Sequence, residues 1–159
     1  MINTVSKICV LLCTAVLSAC AVTPHAGLRD SEVRAGSGEP ALAVKLLEGT
    51  RWFYPGGPFG APTYAVDFNA AGTAMQVRVA LNDDVTQQIA IGDVAADVLL
   101  RIGPPFRKIR FDNLRQTAWD YRYRDTWGYL VEFSVMMDDS DRVGGKFSRR
   151  LTPDDRNDK

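Results

Sequence analysis

Two periodicities divide this chain. Between residues 52 and 81, large apolar side chains alternate with polar or small ones: Trp52 and Tyr54, then Tyr64, Val66 and Phe68, then Met75, Val77, Val79 and Leu81. The alternation returns with Trp119, Tyr121 and Tyr123, then Tyr129, Val131, Phe133 and Val135. A period of two predicts antiparallel strands with one buried face. Asp67, Gln76, Arg78, Asp120, Arg122, Glu132 and Ser134 then fall on the opposite, wetter face. Between the blocks the period lengthens. Val94, Val98 and Ile102 share one side of a helix over 93–102, widened by Leu99, with Asp93 as its cap and Gly103 and Pro104-Pro105 as its stop. Asp83-Asp84 opens a short helix reaching Ile89, and a weaker helical pattern covers 38–47 with Pro40 in its first turn. The proline- and glycine-rich stretch between Tyr54 and Thr63 reads as a loop.

The blocks are related to one another. Thr50-Arg51-Trp52-Phe53-Tyr54 returns 67 residues later as Thr117-Ala118-Trp119-Asp120-Tyr121. Tyr64-Ala65-Val66-Asp67-Phe68 is echoed 69 residues later by Phe133-Ser134-Val135-Met136-Met137. Each copy then reaches a polar turn, Asn69-Ala70-Ala71-Gly72 or Asp138-Asp139-Ser140-Asp141. Upstream, Val33-Arg34-Ala35-Gly36 aligns with Ile89-Ala90-Ile91-Gly92. The pattern predicts two tandem helix-then-strands repeats, a degenerate one over 33–82 and a fuller one over 83–151. With helices packed on one face of an antiparallel sheet, the expected fold class is α+β.

The amino terminus follows a different logic. Lys7 precedes an apolar run from Ile8 to Leu17, too short for the roughly 20 residues that a membrane span needs. It fits the apolar region of a secretory signal over 1–19. Leu17-Ser18-Ala19-Cys20 then has the form of a bacterial lipobox, in which small residues admit the peptidase and the Cys20 thiol carries the lipid. Ala21 stands where enteric bacteria place an inner-membrane retention aspartate, so sorting to the outer membrane is expected. Residues 20–32 read as a lipidated flexible tether and 152–159 as a polar, disordered tail.

Composition narrows the chemistry. Of 159 residues, 46% are hydrophobic and 24% charged, with 19 Lys and Arg against 19 Asp and Glu, so the basic footprint of a nucleic-acid binder is missing. Cys9 and Cys13 leave with the signal and Cys20 is capped, which leaves no disulfide to stabilise the mature domain. The single histidine, His25, lies in the tether, so no serine or threonine of the domain gains a catalytic partner. The paired carboxylates Asp83-Asp84, Asp138-Asp139 and Asp154-Asp155 sit at expected caps, turns or tail, and no metal or cofactor is expected. The expectation is a protein that is not an enzyme. One region stands out: Arg101, Arg107, Lys108, Arg110, Arg115, Arg122 and Arg124 face only Asp112 and Asp120 between residues 101 and 124. The connection 104–116 is expected to be a long loop in which Arg107, Lys108, Arg110, Phe111 and Arg115 contact an acidic protein or anionic lipid. Trp127, in the second copy's hairpin connection, is a further candidate contact, while Trp52 and Trp119 belong to the core.

Ile91-Gly92, Val98, Ile102-Gly103 and Pro105, followed by a Trp-x-Tyr strand and a strand pair with an acidic turn, resemble the SmpA/OmlA (BamE-like) outer-membrane lipoprotein family. The resemblance covers about 83–149, departs at Val94 where the family has a capping Thr or Ser, and does not account for the duplication. It implies a periplasm-facing, lipid-anchored module that supports β-barrel protein assembly or envelope integrity. Tandem copies also resemble β-lactamase-inhibitor proteins, which implies an alternative: an inhibitor or adaptor gripping an envelope enzyme through a concave sheet face.

Overall fold

The computed structural model describes residues 23–57, 59–152 and 155. Its elements are, in order, α1 (Asp30–Ser37), β1 (Leu42–Leu46), β2 (Gly49–Pro55), β3 (Thr63–Asn69), β4 (Ala74–Val79), α2 (Asp83–Gln88), α3 (Ala95–Ile102), β5 (Arg107–Phe111), β6 (Gln116–Arg124), β7 (Leu130–Asp138) and β8 (Val143–Arg150). A single 3-10 turn over Asp112–Leu114 joins β5 to β6. Strands β1 to β4 and β5 to β8 form two four-stranded antiparallel meanders, each in chain order.

This overturns the α+β expectation. The protein is mostly β, with helices of eight, six and eight residues that are too short to make a helical layer. Two of the misreadings lie at edge strands. Leu42, Val44 and Leu46 look helical in a window that includes Pro40 and Leu47, yet they alternate at period two and pair with β2. The basic connection 104–116 holds β5, paired to β6 from Arg107↔Asp120 to Phe111↔Gln116. The helix α1 begins inside the expected tether.

Helix starts also differ from expectation. Asn82, not the following aspartates, caps α2 by accepting from the Val85 N–H at 2.9 Å. Val94 occupies the N-cap of α3 with no side-chain bond, and Asp93 instead accepts from the Ala90 N–H.

The helices correspond 65 residues apart, α1 to α3, so Val33-Arg34-Ala35-Gly36 matches Val98-Leu99-Leu100-Arg101 and not Ile89-Ala90-Ile91-Gly92 as the sequence pattern suggests. Helix α1 ends at Gly38 and α3 at Gly103, with nearly the same left-handed φ of 79° and 82°. The Tyr54 hydroxyl donates to the Gly38 carbonyl at 3.4 Å, as Tyr121 does to Gly103 at 3.3 Å. The third and fourth strands of each copy share a register shift, at Asp67/Phe68 and Met136/Met137. Asn69 and Asp138 close equivalent turns by accepting backbone N–H groups two and four residues on.

Each sheet buries one apolar face. In the first, Trp52, Tyr54, Val66, Phe68 and Ala74 pack with Val33 of α1. In the second, Trp119, Tyr121, Tyr123, Val131, Phe133, Val135 and Met137 pack with Ile89, Val98 and Ile102. Each such side chain contributes about 1.5–3 kcal/mol on burial, which suits a domain without disulfides. The other face of the first sheet, with Phe53, Ala65 and Ala80, meets the end of α3. A Cβ on Gly103 would lie 2.6 Å from the Phe53 ring, and Arg51 donates to the Leu100 carbonyl at 2.9 Å while clamping Asp67 at 2.5 and 2.7 Å. The first repeat therefore docks the back of its sheet on the helix of the second.

Candidate functional site

Strand alternation separates the basic residues expected to act together. Arg107, Ile109 and Phe111 share a face with their partners Asp120, Ala118 and Gln116, while Lys108 and Arg110 belong to the other face. Lys108 lies over the Trp119 ring, 4.1 Å from its centroid. Arg110 and Arg115 converge on Asp139 in the turn after β7, at 2.8 and 2.7 Å, and Arg110 also holds Asp112. Arg101 donates to the Gln88 carbonyl. Most of the strip's charge is thus used within the protein. Trp127 sits apart, 79% exposed at the tip between β6 and β7, where Asp125 accepts from the Trp127 and Tyr129 N–H groups. Cys20 lies outside the described residues.

The sequence reading placed Asp120, Arg122, Glu132 and Ser134 on a wetter face; all four are buried. The register sets Asp120 opposite Ser134 and Arg122 opposite Glu132 on β6 and β7. Ser134 donates to Asp120 at 2.6 Å, and Arg107 reaches Asp120 at 3.0 Å and Glu132 at 3.5 Å. Arg149, facing Glu132 from β8, binds it at 3.0 Å, and Arg122 approaches it at 3.8 Å. Three guanidinium groups thus surround two buried carboxylates. The Arg122 Nε is buried without a hydrogen-bond acceptor among the described residues, and the Phe106 ring covers its guanidinium at 4.2 Å. Phe106, Phe111 and Phe147 rim this face at 45%, 38% and 52% exposure, so it is aromatic at its edge and ionic at its centre. The readable signal was the pairing of Asp-x-Arg in one strand with Glu-x-Ser in the next. What hid it is that long arginine side chains bury their neighbours by lying over them.

A second cluster occupies the end of the second sheet, around a shallow cavity of about 230 Å³ lined by Asp83, Tyr123, Asp125, Val131, Ser148, Arg149 and Arg150. Tyr123 donates to Asp83 at 2.8 Å, and Asp83 also accepts from the Thr126 N–H and hydroxyl. The Thr126 bonds first, then Tyr123, hold the Asp83 carboxyl below its ordinary range. Burial, then the bond to Asp83, pushes Tyr123 up to about 12. Both shifts lead away from neutrality, the reverse of what a general acid or base needs. The cluster ties α2 to the hairpin. Among the described residues, no group of three His, Cys, Asp or Glu side chains is arranged to hold a metal ion.

No family model matches this sequence, and no curated protein matches it. Among solved structures it is similar to a DUF4309 family protein (YjgB) from Bacillus subtilis, at 18% identity over 78% of each chain, with a TM-score of 0.30. A likeness of that size fixes neither fold nor function.

Proposed function

We propose that this chain is a lipid-anchored, non-catalytic binding module on the periplasmic side of the outer membrane, and that it engages an envelope protein through the open face of its second sheet. The observation that carries the reading is the pair of partly exposed rings at the buried ion cluster, Phe106 over Arg122 and Phe147 on β8 opposite Ser134, with Phe111 farther along β5 on the same face. Exposed aromatic residues beside a desolvated arginine, here Arg122, match the composition of protein-binding hot spots. The signal-like segment and Leu17-Ser18-Ala19-Cys20 support the anchor. Resemblance to the SmpA/OmlA family supports a role in β-barrel protein assembly or envelope integrity. The use of a sheet face favours a second reading, an inhibitor or adaptor of one envelope enzyme.

The test is in-cell crosslinking and purification of the native lipoprotein, comparing wild type with Phe147→Asp and with Lys108→Glu, Arg110→Glu. The proposal expects a partner that is lost with Phe147→Asp and kept with the double variant. Barrel-assembly components would support the assembly role, and a single envelope enzyme the inhibitor. Loss only with the double variant would return the contact to the other side of β5 and reject the open face.

A further inference from the structure

The two repeats can be compared position by position, because the same sheet face is covered in one and open in the other. Register places Leu42, Phe53 and Ala65 of the first sheet where the second has Arg107, Asp120 and Ser134. In the first repeat that face is sealed, with Phe53 and Ala65 fully buried and Phe53 against Gly103. In the second, the apolar set is replaced by charge, yet apolar rings remain exposed at its margin. A face that needed only to be wetted would place its charges in solvent. Here the acids are buried under arginines and the Arg122 Nε lacks an acceptor among the described residues.

The charges on this face are unequal in number among the described residues. Arg107, Arg122 and Arg149 stand against Asp120 and Glu132, one negative charge short. The missing carboxylate is supplied from the chain's own end. Asp155 binds Arg149 at 3.1 Å, anchored by the Thr152 N–H and hydroxyl at 2.8 and 2.7 Å. Arg149 is half-exposed and bridges a buried acid on one side and this surface acid on the other.

We infer that Asp155 is a built-in stand-in for a partner's carboxylate, and that the open face takes an extended acidic segment of an envelope protein in which an Asp or Glu displaces Asp155 from Arg149 while an adjacent apolar side chain lands on Phe147. The inference rests on the proposed reading of this face as the docking surface and names the chemistry of what docks. The Arg149 Nη1, left free of Glu132 and bonded to Asp155 at 3.1 Å, gives the selectivity through one charge-assisted hydrogen bond, and the phenylalanine ring gives apolar contact area.

The probes are the capped tripeptides acetyl-Phe-Asp-Phe-amide and acetyl-Phe-Asn-Phe-amide. Each is titrated into the full lipidated chain in neutral detergent micelles at low salt while the arginine Nε–H signals are followed by NMR. The expected result is a shift of the Arg149 signal with the aspartyl peptide and little with the asparaginyl one. Asp155→Asn, a surface change that leaves Glu132 paired, should tighten the aspartyl peptide about threefold by removing its competitor. Equal response to both peptides, or an Asp155→Asn variant that binds no better, overturns the inference. So does an Arg149 shift produced only by adding phosphatidylglycerol to the micelles, which would make the ligand a lipid phosphate. If the peptides fail but partner recovery still depends on Phe147, the docking reading stands and only the carboxylate assignment falls.

Discussion

Glu132 is the residue on which most depends. It is 4% exposed and is approached by Arg107, Arg122 and Arg149 from three strands. Truncation takes from the buried Arg122 its one counter-ion among the described residues, and breaking one partner of a buried pair is costly. Glu132→Ala should lower stability by about 3 kcal/mol, read as a drop in the urea midpoint; a loss below about 0.5 kcal/mol, typical of surface substitutions, would mean that the cluster is solvated. Tyr123 gives a test in pH. Its folded-state value, about 12, lies above the ordinary tyrosine value of about 10. Its contribution is therefore complete below pH 10 and is lost as pH rises from 10 towards 12. Wild type should lose more stability across that window than Tyr123→Phe does, and parallel curves would contradict the assignment.

At the scale of elements, the glycines ending α1 and α3 form a matched pair of probes. Both combine a positive φ with an extended ψ, 79° and −166° at Gly38, 82° and −164° at Gly103, a region essentially reserved for glycine, so either Gly→Ala change carries a similar backbone cost of about 1–3 kcal/mol. At Gly38 a Cβ meets nothing within 4 Å, whereas at Gly103 it collides with Phe53. Gly103→Ala should therefore cost about 2 kcal/mol more than Gly38→Ala, from overpacking between the repeats, as measured by denaturant unfolding. Equal costs would place the repeats apart. The same elements explain what the sequence made legible. Strands centred on Trp119 and Phe133 were evident because one face is apolar and the other polar, those centred on Trp52 and Tyr64 because large rings recur at every second position, and α3 because its stripe ends at Gly103. Strands β1 and β5 were not, because an edge strand has one neighbour and little to bury: Lys108 and Arg110 are exposed beside half-buried Ile109. Helix α1 buries only Val33, so its eight residues carry almost no apolar stripe. The site was half legible. Arg107 and Phe111 were singled out for their charge and position, but the ion cluster needs the register of four strands, which a one-dimensional pattern does not contain.

For the whole molecule, the docking of the first sheet on α3 joins the two repeats. The end of α3 lies between the two sheets, touching Phe53 on one side and accepting from Tyr121 on the other. One shared element should make unfolding a single cooperative transition, with fluorescence of Trp52 and of Trp119 changing at the same denaturant concentration in single-tryptophan variants. At the amino end, Cys20→Ala should move the protein from the membrane to the soluble fraction, since the lipid is its proposed anchor. The central claim concerns the face left open at the other end. Its most direct test is a photo-crosslinking phenylalanine analogue placed in living cells at Phe147 or Phe111, with the more exposed Leu47 and Met75 as controls on the first repeat. The account predicts one common envelope-protein adduct from positions 147 and 111 and none from 47 and 75. Adducts from the first repeat alone would contradict it.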